Sequence, residues 1–261
     1  MKLLHGAVMN VTRSAGFWAL VFLALGAYLL SAESGLAQSR PGWGEIWQQR
    51  MTIGQAQLDG AFKLAESGKV NEALAMIDQV IASDPNNWRS YFLKSAVLIL
   101  AKRGGEALKQ IDTSINLARR SNVSAGLLAE LYESKARSCI DYGRYDEGKK
   151  SLEQAVHLQP TDPTTLNDLA WMLATSKDPR VRDGHRAVAI ATKACVLSNW
   201  KNAFSIDTLA AASATAGNFA DAIKYQQLAI THLEPDDRQA QLPGMEQRLH
   251  QYSSGQTFTG I

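Results

Sequence analysis

Residues 54–87, "GQAQLDGAFKLAESGKVNEALAMIDQVIASDPNN", align on residues 88–121, "WRSYFLKSAVLILAKRGGEALKQIDTSINLARRS", at an offset of 34, with Ala73 over Ala107 and Ile77 over Ile111. The frame continues through residues 129–162, a lengthened copy at 163–202 and a fifth at 203–236. Self-similarity at such a period marks a stacked repeat, because one short unit cannot bury its own apolar face. Apolar residues keep helical spacing through all five copies. The chain is thereby confined to an all-α array in which each unit packs on its neighbours along one continuous core.

Each recurring slot has its own physical reason. Ala61, Ala136, Ala170 and Ala210 occupy the eighth position, where two helices approach too closely for a larger side chain. Gly68, Gly143 and Gly217 end first helices, as glycine does because it accepts positive φ. Ala73, Ala107, Ala187 and Ala222 open the buried face of the second helix, with Gly148 in that slot in the third copy. Pro85, Pro160 and Pro235 close three units where a helix cannot continue. This helix-turn-helix pattern resembles the tetratricopeptide repeat. The stretch "LAWMLAT…VRDGHRAVAIATKAC…NW", through the closing "RLHQYSSGQTF", is also similar to a C-terminal module of exported bacterial tetratricopeptide proteins, over residues 163–258. The resemblance implies a right-handed α-solenoid of five units across residues 54–236, then a capping helix and tail at 237–261.

Two departures qualify the pattern. The second copy has Ser95 in the eighth position and "AKRGGEA" at its turn, so its first helix is free to run differently. Seven added residues at 122–128 lengthen one or both flanking helices. In the fourth copy "SKDPRVRDG" makes a turn about five residues longer than the others, with Asp183 placed to cap the next helix.

Ahead of the array, Lys2 and Arg13 precede an uncharged run of 16 residues at 15–30. That layout is a secretory leader, with Gly35 and Ala37 at the minus 3 and minus 1 positions of a cut before Gln38. The run exceeds the usual leader core of about 7–15 residues and falls just short of the ~17–25 of a spanning helix, so cleaved leader and uncleaved anchor both stay open. Either one places residues 1–37 as the targeting segment, with 38–53 a linker or leading helix. Both carry the array out of the cytoplasm, to the periplasm or cell envelope, and Lys2 and Arg13 stay inside.

Asn167, Asp168, Trp171, Asp183, His185 and Cys195 lie close enough in sequence to suggest a hydrolase. Helix geometry argues against it: His185 and Cys195 are ten residues, hence about 15 Å, apart on one helix, whereas a nucleophile pair needs about 3 Å. His157, His232 and His250 stand singly, with no second ligand one helical turn away, so no metal or cofactor is expected. An oxidising compartment permits a disulfide between Cys139 and Cys195, but their placement on helices of different repeats argues against one. With 27 basic and 25 acidic residues, the formal charge of +2 gives no reason to expect nucleic acid.

The resemblance also implies a concave groove lined by the second, fifth, ninth and twelfth positions of each first helix. Those slots hold Leu58 and Phe62, then Arg89, Phe92 and Ile99, then Glu130, Glu133, Arg137 and Ile140, then Asn167 and Trp171, then Phe204 and Asp207. Arg89, Phe92, Glu133, Arg137, Asn167, Trp171 and Asp207 are the expected partner-binding set. Apolar ends with a charged middle suit a peptide or helix of a protein partner, with Trp171 as an aromatic anchor. A plainer reading makes Glu133 and Arg137 an i,i+4 pair on a solvated face. No three consecutive copies supply the lysine and asparagine set of the chaperone-tail carboxylate clamp. The expected function is a non-catalytic interaction scaffold, exported or anchored; the alternative is an envelope spacer or assembly factor acting through its N-terminal helix, with a hydrolase third.

Overall fold

The computed structural model describes residues 43–260, with side chains from residue 54 onward. The apolar segment at 15–30 and the cut before Gln38 lie outside the described residues. No described helix is long and apolar enough to cross a membrane. The described residues fall into two units, divided between Ala56 and Gln57.

Eleven α-helices and no strand occur among the described residues: α1 (Trp43–Glu66), α2 (Val70–Ser83), α3 (Trp88–Leu100), α4 (Gly104–Arg120), α5 (Ala125–Asp141), α6 (Tyr145–Leu158), α7 (Pro163–Thr175), α8 (Gly184–Leu197), α9 (Ala203–Thr215), α10 (Phe219–His232) and α11 (Pro235–Ser253). Consecutive helices pair as antiparallel hairpins within each repeat. The eighth-position residues Ala61, Ser95, Ala136, Ala170 and Ala210 are all buried, as are Ala73, Ala107, Ala187 and Ala222 in the second helices. Gly148 takes the same slot because a Cβ there would press on the Ala136 carbonyl at 3.2 Å and on Met172 Cε at 3.3 Å.

The second copy conforms to the frame. Ser95 is small enough for the close approach and turns its hydroxyl inward to donate to Phe92 O at 2.6 Å. Lys102 stands where the other turns have glycine and adopts φ 58, against 82, 72 and 86 at Gly68, Gly143 and Gly217. All four turns close the helix in the same way, through Lys69 N to Leu64 O, Arg103 N to Leu98 O, Arg144 N to Cys139 O and Asn218 N to Ser213 O. The extra residues at 122–128 lengthen both neighbours, α4 and α5, to 17 residues each.

The first helix of the fourth repeat ends differently. The carbonyls at a helix C-terminus have no partner inside the helix and must find donors elsewhere. At the end of α7 each is met from outside: Leu173 O by Asp183 N at 2.9 Å and Ala174 O by Thr215 Oγ1 of α9 at 2.8 Å. Ser176 O accepts from Arg182 Nη1 at 2.7 Å and Thr175 O from Gly260 N at 3.0 Å. The long turn exists to deliver two of these donors. Asp183 then caps α8 by accepting from Arg186 N at 3.0 Å.

Candidate functional site

The expected groove residues fall into two groups with different surroundings. The first belongs to α3, α5 and the start of α7. Arg89 and Phe92 are half-buried on α3, the guanidinium lying 4.7 Å from the centre of the Trp88 ring. On α5, Glu133 is half-buried and meets Thr165 of α7 rather than a residue of its own helix. Arg137 lies 3.9 Å from Asp168, also on α7. Beside the i,i+4 spacing of Glu133 and Arg137 on α5, both side chains thus have contacts on α7, the next first helix.

Asp162 begins α7 as its N-cap, accepting from Thr165 N at 2.7 Å, and Pro163 fits the first turn, where a missing N–H costs nothing. Capping brings the Asp162 carboxylate within 2.8 Å of Thr165 Oγ1, which also contacts Glu133. One hydroxyl has one proton and cannot donate to two carboxylates. The chain of bonds is complete only when Glu133 itself carries a proton and donates to Thr165, which then donates to Asp162. Burial, with Asp168, Asp162 and Glu130 nearby, pushes the Glu133 carboxyl up to about 7 against the opposing Thr165 bond. Burial also raises Glu130 and Asp168, the latter opposed by Arg137. Glu130 Oε2 and Asn167 Oδ1 are buried and meet no hydrogen-bond donor among the described residues. The middle of this face is therefore rich in acceptors and short of protons.

The second group, Trp171 and Asp207, does not face an open groove. Asp207 is 7% exposed and holds Arg248 of α11 in a two-pronged ion pair, with Nε at 2.9 Å from Oδ1 and Nη2 at 2.8 Å from Oδ2. Gln226 Nε2 of α10 donates to the same Oδ1 at 2.7 Å. Trp171 packs on Phe258 with ring centres 5.8 Å apart, and the Arg248 guanidinium lies 5.5 Å from the first ring and 5.3 Å from the second. Asp207, named above among the expected partner-binding residues, is here occupied by Arg248 of α11. Phe204, at the other groove slot of α9, is 39% exposed and lines a cavity with His232, Leu233 and Asp237.

Cys139 and Cys195 are free and buried, and burial pushes their thiols up to about 11 and about 12, far from a reactive thiolate. His185 is exposed at the start of α8. No group of three metal-ligating side chains occurs among the described residues.

No family model matches the chain. Over 134 residues, 50% of its length, it is 29% identical to Protein STIP1 homolog of Dictyostelium discoideum, a match that spans 22% of that protein. Among solved structures, it is similar to YrrB, a tetratricopeptide-repeat protein with an unusual peptide-binding site (TM-score 0.55, 15% identity, 73% of this chain and 90% of that one). It is also similar to MamA (0.54, 14% identity, 69% and 96%) and to a putative kinesin light chain from Podosopora anserina with nearly identical repeats (0.56, 16%, 68% and 93%). The fold is a tetratricopeptide-repeat array. At these identities the likeness concerns fold alone. Within the array, sequence reasoning missed Asp162 and Thr165, although an acidic residue three positions ahead of a threonine, with proline between, is a legible helix start. Gln226 falls in the buried slot of Ile77, Ile111 and Leu152, where a polar side chain in an apolar column was a legible departure; Arg248 and Phe258 lie beyond the five copies and carry no periodic signal.

Proposed function

We propose that the chain is a non-catalytic interaction scaffold, exported or anchored by residues 1–37, that holds a basic peptide or helix of a protein partner on the α3–α5–α7 face. The observation that supports it is the acceptor surplus there: Glu130, Asp162 and Asp168 lie near Glu133, Arg137 stands 3.9 Å from Asp168, and the buried Glu130 Oε2 and Asn167 Oδ1 are unmet. A lysine or arginine of the partner supplies the missing protons, and Phe92 receives its apolar neighbour. Repeat arrays present extended concave surfaces of this kind, and one structural neighbour is described as having a peptide-binding site. The spacer alternative has no comparable observation in its favour.

Glu133 gives the pH test. Its folded pKa lies above the ordinary carboxylate range, so its contribution to folding is full below that range and is lost as pH rises through about 7. Binding has the opposite sign: a cationic segment gains as Glu133 ionises. Affinity for a lysine- or arginine-bearing peptide, read by fluorescence anisotropy against a peptide array, rises between pH 6 and 8 (about pH 7 being the midpoint). Glu133→Gln flattens the rise while circular dichroism stays unchanged. Peptides held equally by wild type and by Glu130→Lys/Glu133→Lys remove the groove from the proposal and leave the spacer.

Export has its own expected result. Alkaline phosphatase fused after the array is active and a cytoplasmic reporter in the same place is silent, because the leader directs the array across the membrane. The reverse pattern ends the localisation part of the proposal without touching the groove.

A further inference from the structure

The segment that follows α11 is built as an arm. It starts at Gly255, φ 69, where Gln256 N donates to Gln251 O at 2.9 Å and closes the helix. Beyond Gly255, two interactions tie it to α7 among the described residues. Phe258 packs on Trp171, and Gly260 N donates to Thr175 O at 3.0 Å. Phe258 is half-buried, while Gln256, Thr257, Thr259 and Gly260 are exposed. One aromatic ring in a cleft and one backbone bond to the scaffold are the means by which an extended peptide is held.

The site beneath the arm is formed without it. Arg248 is fixed by Asp207 from below, so its guanidinium stays in place as a cationic floor for an aromatic ring with or without Phe258. Thr175 O is a helix-end carbonyl, which takes a donor from whatever chain lies there. Trp171 lies one turn beyond Asn167 and Asp168, so a segment crossing from α5 to α7 reaches the arm at this ring.

We propose that the Trp171–Thr175 face of α7 is a recognition site for an extended partner segment carrying an aromatic residue, and that the Phe258 segment fills it as an exchangeable internal ligand. The inference rests on the groove reading above and adds a second specificity to it: a basic residue at α5, then an aromatic residue at α7. A partner lacking the aromatic residue leaves the arm docked; one that has it displaces Phe258 and takes over the bond to Thr175 O.

The test uses the full chain and no outside partner, so its failure is separable from failure of the charged groove. Phe258→Ala vacates the site, and a synthetic peptide of residues 253–261 is titrated in while the Trp171 indole N–H is followed by NMR. The peptide shifts that resonance in Phe258→Ala and binds wild type at least about tenfold more weakly, because the docked arm reduces the competent fraction. The same peptide carrying F258A shifts nothing. No movement of the Trp171 signal in folded Phe258→Ala overturns the inference, as does equal binding to both chains. A concentration-dependent dimer of wild type that is lost in Phe258→Ala also overturns it, in favour of exchange between two copies. Should Phe258→Ala fail to fold, hydrogen exchange of wild type decides: the Gly260 amide exchanges about 100-fold faster than those of α9 if the arm opens alone. Equal protection makes the segment part of the rigid fold and overturns the proposal.

Discussion

Asp207→Ala destabilises the fifth repeat and the helix after it by about 3–5 kcal/mol, the cost of leaving a buried charge without its partner. Arg248 is 13% exposed and lies beside the Trp171–Phe258 ring pair, so without Asp207 its charge is left largely out of water. Gln226 is fully buried and loses the acceptor for its Nε2 at the same time. Because repeats contact only their neighbours, the loss appears as early opening of α9–α11 while α1–α4 keep their protection. Urea titration with hydrogen exchange by mass spectrometry resolves the two regions. Replacing both members, as Asp207→Leu/Arg248→Met, recovers most of the stability, since a well-packed apolar pair frequently equals a buried ion pair. A loss below about 1 kcal/mol for Asp207→Ala at unchanged helicity means that Arg248 reaches solvent and the ion pair is dispensable.

Gly184→Ala has the second large effect. A Cβ on Gly184 lies 2.5 Å from Ala216 N, 2.6 Å from Thr215 C and 2.9 Å from Ala216 Cα. These are backbone atoms at the end of α9, with no rotamer to yield, so α8 must move off α9. Overpacking of this kind costs about 1–3 kcal/mol and sometimes more. The upper end applies here, because the shift also strains the bond from Thr215 Oγ1 to Ala174 O. The measurement is the urea midpoint compared with Gly105→Ala, where a Cβ meets nothing within 4 Å and the change is neutral or mildly stabilising through better helix propensity. Equal midpoints for the two variants remove the close approach as a constraint.

The 34-residue spacing made the helices, the turns and the small-residue slots legible, because each follows from one unit repeating against the next. Even Lys102, in place of a glycine, holds the turn that its neighbours predict. The plainer reading of Glu133 with Arg137 used only the local spacing of an isolated helix. In the array, Thr165 and Asp168 of the next first helix compete for both side chains. Asp207 and Trp171 sit in groove slots by position, yet their partners Arg248 and Phe258 come from the non-repeating end. A periodic pattern describes only what neighbouring units do to one another, so a contact made by something that occurs once has no counterpart from which to infer it.

The four carbonyls at the end of α7 also settle where such a chain tolerates a change of length. Two of their donors arrive from beyond the fourth repeat, Thr215 at the end of α9 and Gly260 after α11. A unit duplicated between α2 and α3 meets on each side the kind of surface that it already packs against. The same unit inserted between α8 and α9 carries Thr215 and Gly260 one repeat farther away and leaves Ala174 O and Thr175 O to find other donors. Lengthening the array is thus less costly ahead of the fourth repeat than behind it.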